Sequence, residues 1–91
     1  MPLTFAAEPG KWDGFQKAVG FAAQDGDTSV MCAISQEALE DLAQRVDMHP
    51  AACVAVFEQH RDAIERKASM LYASGRVRAG EVVMIKASRI P

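Results

Sequence analysis

Two histidines and one cysteine are the residues of this chain with the best spacing to ligate a metal ion. His49, Cys53 and His60 follow one another at spacings of four and seven, which would align them along one helix face. Zinc sites usually include a Cys-x-x-Cys or a His-x-x-x-His unit, and the chain contains neither. His49 precedes Pro50 at a predicted helix boundary, and His60 suits a half-buried position beside an apolar stripe. The sequence therefore predicts no metal site.

Catalytic chemistry finds no better support in the sequence. Cys32 is predicted inside a strand and Cys53 on a packed helix face, and a thiolate is poorly stabilised in both places. With only two cysteines, we expect buried free thiols rather than a disulfide framework. The chain has no glycine-rich phosphate loop before a helix and no G-x-S-x-G turn. An acidic group lies on the predicted solvated side of the first helix: Glu37, Glu40 and Asp41. We predict a non-enzymatic protein with no catalytic residue and no cofactor.

Composition bounds the fold that must position these residues. The chain has 91 residues, of which 49% are hydrophobic, so we expect one domain over residues 1–91 with a true core. No apolar run approaches the roughly 18 residues that span a bilayer, and the start of the sequence lacks a basic-then-apolar signal pattern. We therefore expect a cytoplasmic protein that makes no contact with a membrane.

The stretch from Asp25 to Val46 organises the predicted fold. Asp25-Gly26 is a dipeptide favoured in type I′ hairpin turns, so we place it at a hairpin tip. Counting outward gives three pairs that share a core-facing side: Ala23 with Thr28, Phe21 with Val30, and Val19 with Cys32. The opposite side of this hairpin carries no charge: Ala18, Gly20, Ala22, Ser29, Met31 and Ala33. A solvated antiparallel face normally alternates to polar residues, so either a partner covers this one or the strands are short enough to tolerate it.

Two helices and two further strands complete the prediction. Ser35 is the expected N-cap of the first helix, whose apolar side is Ala38, Leu39, Leu42, Ala43 and Val46. A second helix runs from Ala51 to about Ser74 with the apolar stripe Cys53, Phe57, Ile64, Ala68 and Leu71. Short strands are expected at Leu3–Phe5 and Val82–Ile85, and Trp12 is expected to cover one end of the core. The fold class is thus α+β, a small and mostly antiparallel sheet in the order β-β-β-α-α-β with two helices packed on one face.

Charge is unevenly distributed along the chain. Residues 1–60 carry a net charge of −6, whereas residues 61–91 carry +4, with seven basic and three acidic side chains. The basic residues of this last third are Arg61, Arg66, Lys67, Arg76, Arg78, Lys86 and Arg89. The favoured interpretation is that these basic residues belong to a solvated surface of mixed charge. The alternative is that they bind an anionic partner such as nucleic acid. No helix-turn-helix pattern supports that alternative.

Three segments also carry a family resemblance. The run DGDTSVMCAISQEALED, the segment VFEQHRDAIERKA with Gly75 after it, and the closing strand VVMIKAS together resemble a bacterial family of small proteins, domain of unknown function 1488. The resemblance covers nearly the whole chain, and Cys-x-Ile-Ser-x-Glu-Ala-Leu at residues 32–39 is its most specific part. It implies a compact α+β domain, and it implies no activity, cofactor or catalytic residue.

The uncharged side of the hairpin is the surface on which a functional prediction can rest. We expect a non-enzymatic interaction or regulatory module that self-associates through this side of the sheet or through an edge strand. Its partner is then a second copy or an unidentified protein. The alternative is a weak nucleic-acid-binding regulator that uses the basic residues of the last third.

Overall fold

A computed structural model of the chain describes residues 3–75 and 81–86. Its elements are, in chain order, β1 Thr4–Phe5, β2 Lys11–Asp13, β3 Ala18–Asp25, β4 Thr28–Ser35, α1 Gln36–Ala43, α2 Pro50–Gln59, α3 Arg61–Ala73 and β5 Val83–Ile85. The predicted α+β class is confirmed, with one strand and one helix more than the sequence pattern gave. None of the helices in the described ranges is long and apolar enough to cross a membrane.

The sheet is built around the long hairpin of β3 and β4. Its order is β1-β3-β4-β5, and β2 pairs with β3 as well. β1 pairs with the end of β3 at Ala23 and Gln24, and β2 pairs with its start at residues 18–20, so these two short strands share one edge. β5 pairs with β4 in parallel, because the three helices form the crossover that a parallel pair requires.

The hairpin turn lies one residue later than the sequence pattern suggested. Asp25 pairs with Thr28, so Gly26 and Asp27 form the tip. Gly26 has a φ of 61° and Asp27 has no positive φ, a pattern of type II′ rather than type I′. The predicted pairing was therefore wrong by two residues, and Phe21 lies opposite Cys32 instead of Val30. A shift of two residues preserves the side on which each side chain lies, so the two faces were predicted correctly.

The core lies between one face of the sheet and the three helices. Fully buried side chains of the inner face, among them Val19, Cys32, Ile34, Val83 and Ile85, join the helical residues Leu39, Cys53, Phe57, Ile64 and Ala68. The rings of Phe21 and Phe57 stand 5.0 Å apart, and Phe5 stacks beyond Phe21 at 6.0 Å. Both cysteines are buried and free, as predicted.

The first helix ends earlier than the apolar periodicity suggested. Ser35 caps α1 as predicted, with its hydroxyl accepting a 3.1 Å hydrogen bond from the Ala38 N–H. The helix then stops at Ala43, because Gln44 turns left-handed and closes a Schellman-type end. Val46 therefore lies outside the helix and is 80% exposed, so its assignment to the apolar side was wrong.

The predicted long second helix is two helices. α2 ends and α3 begins at His60, whose ψ of 19° departs from helical geometry. This position has no proline or glycine, so the sequence contains no residue type that would have predicted a break in the helix here. The predicted apolar stripe nevertheless runs across both helices, and all of it is buried except the half-buried Leu71.

Candidate interaction surface

The side of the sheet opposite the helices, here called the outer face, contains the predicted interaction residues. Ala22 and Ser29 are exposed, and Met31 is 53% exposed, which is high for a large apolar side chain in a sheet. Gly20 is partly buried. Ala18 and Ala33 are only 0% and 5% exposed, so they offer no accessible surface. The six predicted residues therefore share a face, but only four of them can reach a partner.

β2 corrects the prediction that the outer face is uncharged. Lys11 and Asp13 pair with Gly20 and Ala18 and so lie on their side of the sheet. Both charged side chains are exposed. Trp12, between them, turns to the other side and packs on the core, in agreement with its expected covering role. The outer face is thus a small-residue surface with a cation and an anion at one margin.

A groove opens on the outer face beside Met31. It consists of two adjoining cavities of about 270 and 340 Å³, and Ala6, Ala22 and Met31 line both of them. The first cavity extends toward β2 and is bordered by Glu8, Pro9, Lys11, Trp12 and Asp13. The second extends toward β1 and the hairpin tip. We call the two together the outer groove.

The connection between β1 and β2, residues 6–10, forms one wall of the outer groove. Arg61 of α3 holds this wall, because its guanidinium donates hydrogen bonds to the carbonyl oxygens of Ala6 at 2.6 Å and of Glu8 at 2.7 Å. The Glu58 carboxylate accepts a 2.8 Å hydrogen bond from the N–H of Gly10. Hydrogen bonds from Arg61 and to Glu58 therefore hold the groove wall against the helices.

Arg61 is itself fixed by its surroundings. Its guanidinium lies 5.2 Å from the centre of the Phe57 ring, and it forms ion pairs with Glu65 at 2.7 Å and Glu58 at 3.2 Å. The hydrogen bond to Glu65, followed by that to Glu58, raises the pKa of Arg61. Two carboxylates therefore balance the charge of Arg61. The sequence pattern had assigned it to a basic surface and gave no sign that the groove wall binds it.

Of the other predicted basic residues, the structure describes Arg66, Lys67 and Lys86. Arg66 and Lys86 are exposed, and Lys67 is partly buried. Arg66 lines a shallow depression between β1 and α3 together with Asp62 and Glu65, so acidic groups accompany it. Arg76, Arg78 and Arg89 lie outside the described residues.

A short turn between β2 and β3, residues 14–17, presents an aromatic side chain at the end of the groove. Phe15 is 97% exposed, whereas the other three phenylalanines are buried or partly buried. The Asp13 carboxylate orders this turn by accepting hydrogen bonds from the N–H groups of Phe15 at 2.9 Å and Gln16 at 3.3 Å. Lys17 completes it with a φ of 52°. The Asp13-Gly14 dipeptide was the sequence signal that this turn existed.

Burial and hydrogen bonding shift the pKa of several titratable side chains among the described residues. Burial raises the pKa of Cys32 to about 11, with a smaller contribution from Glu65, and burial likewise raises that of Cys53. Hydrogen bonds from Gln36 and from the N–H of Met48 lower the pKa of Glu40, which joins α1 to the start of α2. Within the described ranges, no three His, Cys, Asp or Glu side chains stand close enough to hold a metal ion.

Comparison with known proteins gives the same picture of the fold. The sequence model of the family described as "Protein of unknown function (DUF1488)" matches residues 3–84. The chain is also similar to the crystal structure of a protein of unknown function from this family in Shewanella loihica PV-4. That similarity has a TM-score of 0.80 and 28% sequence identity, and it covers 98% of this chain and 94% of the other. Among curated proteins, none matches the chain.

Proposed function

The chain belongs to the DUF1488 family, and we propose that it is a non-enzymatic interaction module that self-associates through the exposed part of the outer face. The observation that carries this proposal is Met31, which is 53% exposed and lines both cavities of the outer groove. Burying a fully exposed methionine side chain contributes about 1.5–3 kcal/mol. Met31 is 53% exposed, so a partner that covers it gains about half of that.

The charges at the margin of the groove fit a second copy as that partner. A two-fold interface brings the same patch of both copies together, so each patch must complement itself. Lys11 and Asp13 lie two positions apart on the same side of β2. In a two-fold arrangement, Lys11 of one copy can lie against Asp13 of the other, and the reverse contact follows by symmetry. An unrelated partner would need no such pairing of opposite charges.

Solution mass tests the proposal. We expect light scattering to give a dimer that dissociates on dilution, and Met31→Lys to give a folded monomer, because the substitution puts a charge in the apolar contact. Met70→Lys is the matched control, since Met70 is 65% exposed on α3, away from the outer face. It should leave the dimer intact. Circular dichroism establishes that each variant is folded.

Three results would contradict self-association through the outer face. A wild-type protein that stays monomeric at every concentration excludes the dimer. Loss of the dimer in Met70→Lys but not in Met31→Lys moves the interface to α3. Unfolding of Met31→Lys together with the milder Ala22→Gln shows that the outer face is core.

The nucleic-acid alternative has less support because Arg61 is bound to the groove wall and to two carboxylates. Phosphate contacts make binding weaken steeply as salt rises. A gel shift at low salt that disappears at higher salt would favour this alternative over self-association.

A further inference from the structure

We propose that Phe15 of one copy inserts into the outer groove of a second copy, and that the reverse contact forms by symmetry. This inference rests on the proposed self-association and adds the contact that would drive it. Each copy carries both halves of the contact, the exposed aromatic turn and the groove that adjoins it. A two-fold axis therefore forms two equal contacts and leaves neither half unused, which closes the assembly at a dimer.

The size and lining of the groove suit a phenyl ring. Apolar cavities of about 150 Å³ are large enough to bind benzene, and the cavity next to β2 measures about 270 Å³. Met31 is among its lining residues, and contact with a methionine sulfur stabilises an aromatic ring. Buried aromatic side chains that fill a partner's pocket are typical energetic centres of protein interfaces.

The turn that carries Phe15 is held in shape before any partner arrives. The Asp13 carboxylate accepts from two successive N–H groups of the turn, and the carbonyl oxygen of Lys17 accepts a 2.9 Å hydrogen bond from the N–H of Gln36. The turn is thus tied at both ends, to β2 and to the start of α1. A preordered anchor loses less conformational entropy on binding than a free loop does.

The charges of the two halves are complementary. Residues 14–17 contain one charged side chain, the exposed Lys17. The groove near β2 is bordered by the carboxylates of Glu8 and Asp13 and by the single cation Lys11, so its border is net negative. A basic aromatic turn that enters an acidic-bordered groove is favoured over a partner with an acidic turn. A second copy of this chain supplies the basic turn.

Mixing two variants tests this contact directly. Phe15→Ser removes the anchor and keeps the groove, whereas Ala22→Gln places a larger polar side chain at a position that lines both cavities and keeps the anchor. Each variant alone should form dimers with a dissociation constant more than about tenfold above that of the wild type. A mixture of the two restores one anchor-in-groove contact per heterodimer. We therefore expect the mixture to associate more tightly than either variant alone, as measured by sedimentation with one variant fluorescently labelled.

Controls separate this inference from the proposed function. Val46→Ser removes another exposed apolar side chain, 80% exposed and outside the outer face, and should leave the dissociation constant unchanged. Lys17→Gln should weaken the dimer without removing the ring. If Phe15→Ser and Lys17→Gln dimerise like the wild type while Met31→Lys is monomeric, the inserted turn is excluded and self-association stands. If the mixture is no tighter than its components, the reciprocal contact is likewise excluded. A wild-type monomer overturns both proposals.

Discussion

The guanidinium of Arg61 donates a 2.6 Å hydrogen bond to the carbonyl oxygen of Ala6, 55 positions earlier in the chain. That contact joins the helical layer to the segment that forms one wall of the outer groove. The same guanidinium lies over the ring of Phe57, which is fully buried in the core. The shape of the groove therefore depends on a residue of the opposite layer, and a change at Arg61 should affect both folding and association.

Replacing Arg61 by lysine should lower the free energy of unfolding by about 2–4 kcal/mol, because a lysine cannot reach Ala6, Glu8 and Glu65 at once. Lysine keeps the positive charge, so the loss reports the geometry of the guanidinium. Arg66→Lys is the matched control, since Arg66 is exposed on the same helix, and it should change stability by less than about 0.5 kcal/mol. Urea unfolding of both variants measures the difference. Equal stability of the two would show that the wall does not need Arg61.

Gly10→Ala should destabilise the protein by about 1–3 kcal/mol through overpacking. A Cβ atom at this position would stand 2.7 Å from Val19 Cγ1 and from Phe57 Cδ2, and both side chains are fully buried. Gly14→Ala is the control, because its nearest neighbour would be Trp12 Nε1 at 3.4 Å, an ordinary contact. Thermal unfolding should give a lower Tm for Gly10→Ala alone. A Tm loss of the same size in both variants would contradict the packing argument.

The sequence predicted the faces of the sheet more accurately than the partners of its strands. Alternation of apolar and small residues determines the side on which Phe21 and Met31 lie, and that alternation survives any shift of two residues. The shift itself depends on whether Asp25 or Gly26 begins the turn, and the preference between two turn types is too weak to decide it. The face could therefore be predicted, but the pairing could not.

The groove could not be predicted, because its wall depends on contacts between distant residues. β2 has only three residues, and its pairing with β3 brings Lys11 and Asp13 to the outer face. Nothing in the local pattern of residues 6–13 indicates that Arg61 will bind this segment. Contacts between residues that are far apart in the sequence leave no local pattern from which to predict them. The N-cap Ser35, in contrast, was predicted from its local signal alone.

Glu40 should make the protein sensitive to acid. Its carboxylate accepts hydrogen bonds from Gln36 Nε2 at 2.9 Å and from the N–H of Met48 at 3.1 Å, and these lower its pKa below the ordinary value of 4.5. A carboxyl with a lower pKa in the folded state contributes stability that is present above pH 4.5 and is lost as the pH falls through the folded pKa. Glu40→Gln should reduce stability at neutral pH and flatten the loss of stability in acid.

The control for this acid effect is Asp41→Asn, on the exposed side of the same helix. It removes a carboxylate whose side chain makes no described hydrogen bond, so the acid branch of the stability curve should keep the wild-type slope. Urea unfolding over a series of acidic buffers measures both curves. An unchanged acid slope in Glu40→Gln would exclude Glu40 as the group responsible.

Cys32 should resist thiol reagents as long as the protein is folded. Burial raises its pKa to about 11, so at pH 8 the thiolate fraction is about a hundredfold smaller than for a thiol of ordinary pKa 9.0, and the side chain is also closed to the reagent. In Cys53→Ala, where Cys32 is the single thiol, labelling at pH 8 should be at least about a hundredfold slower than in urea. The same shift means that Cys32 contributes stability below pH 9.0 that is lost as the pH rises through about 11. Labelling of the folded variant at the rate seen in urea would show that β4 is accessible and that Cys32 is not part of the core.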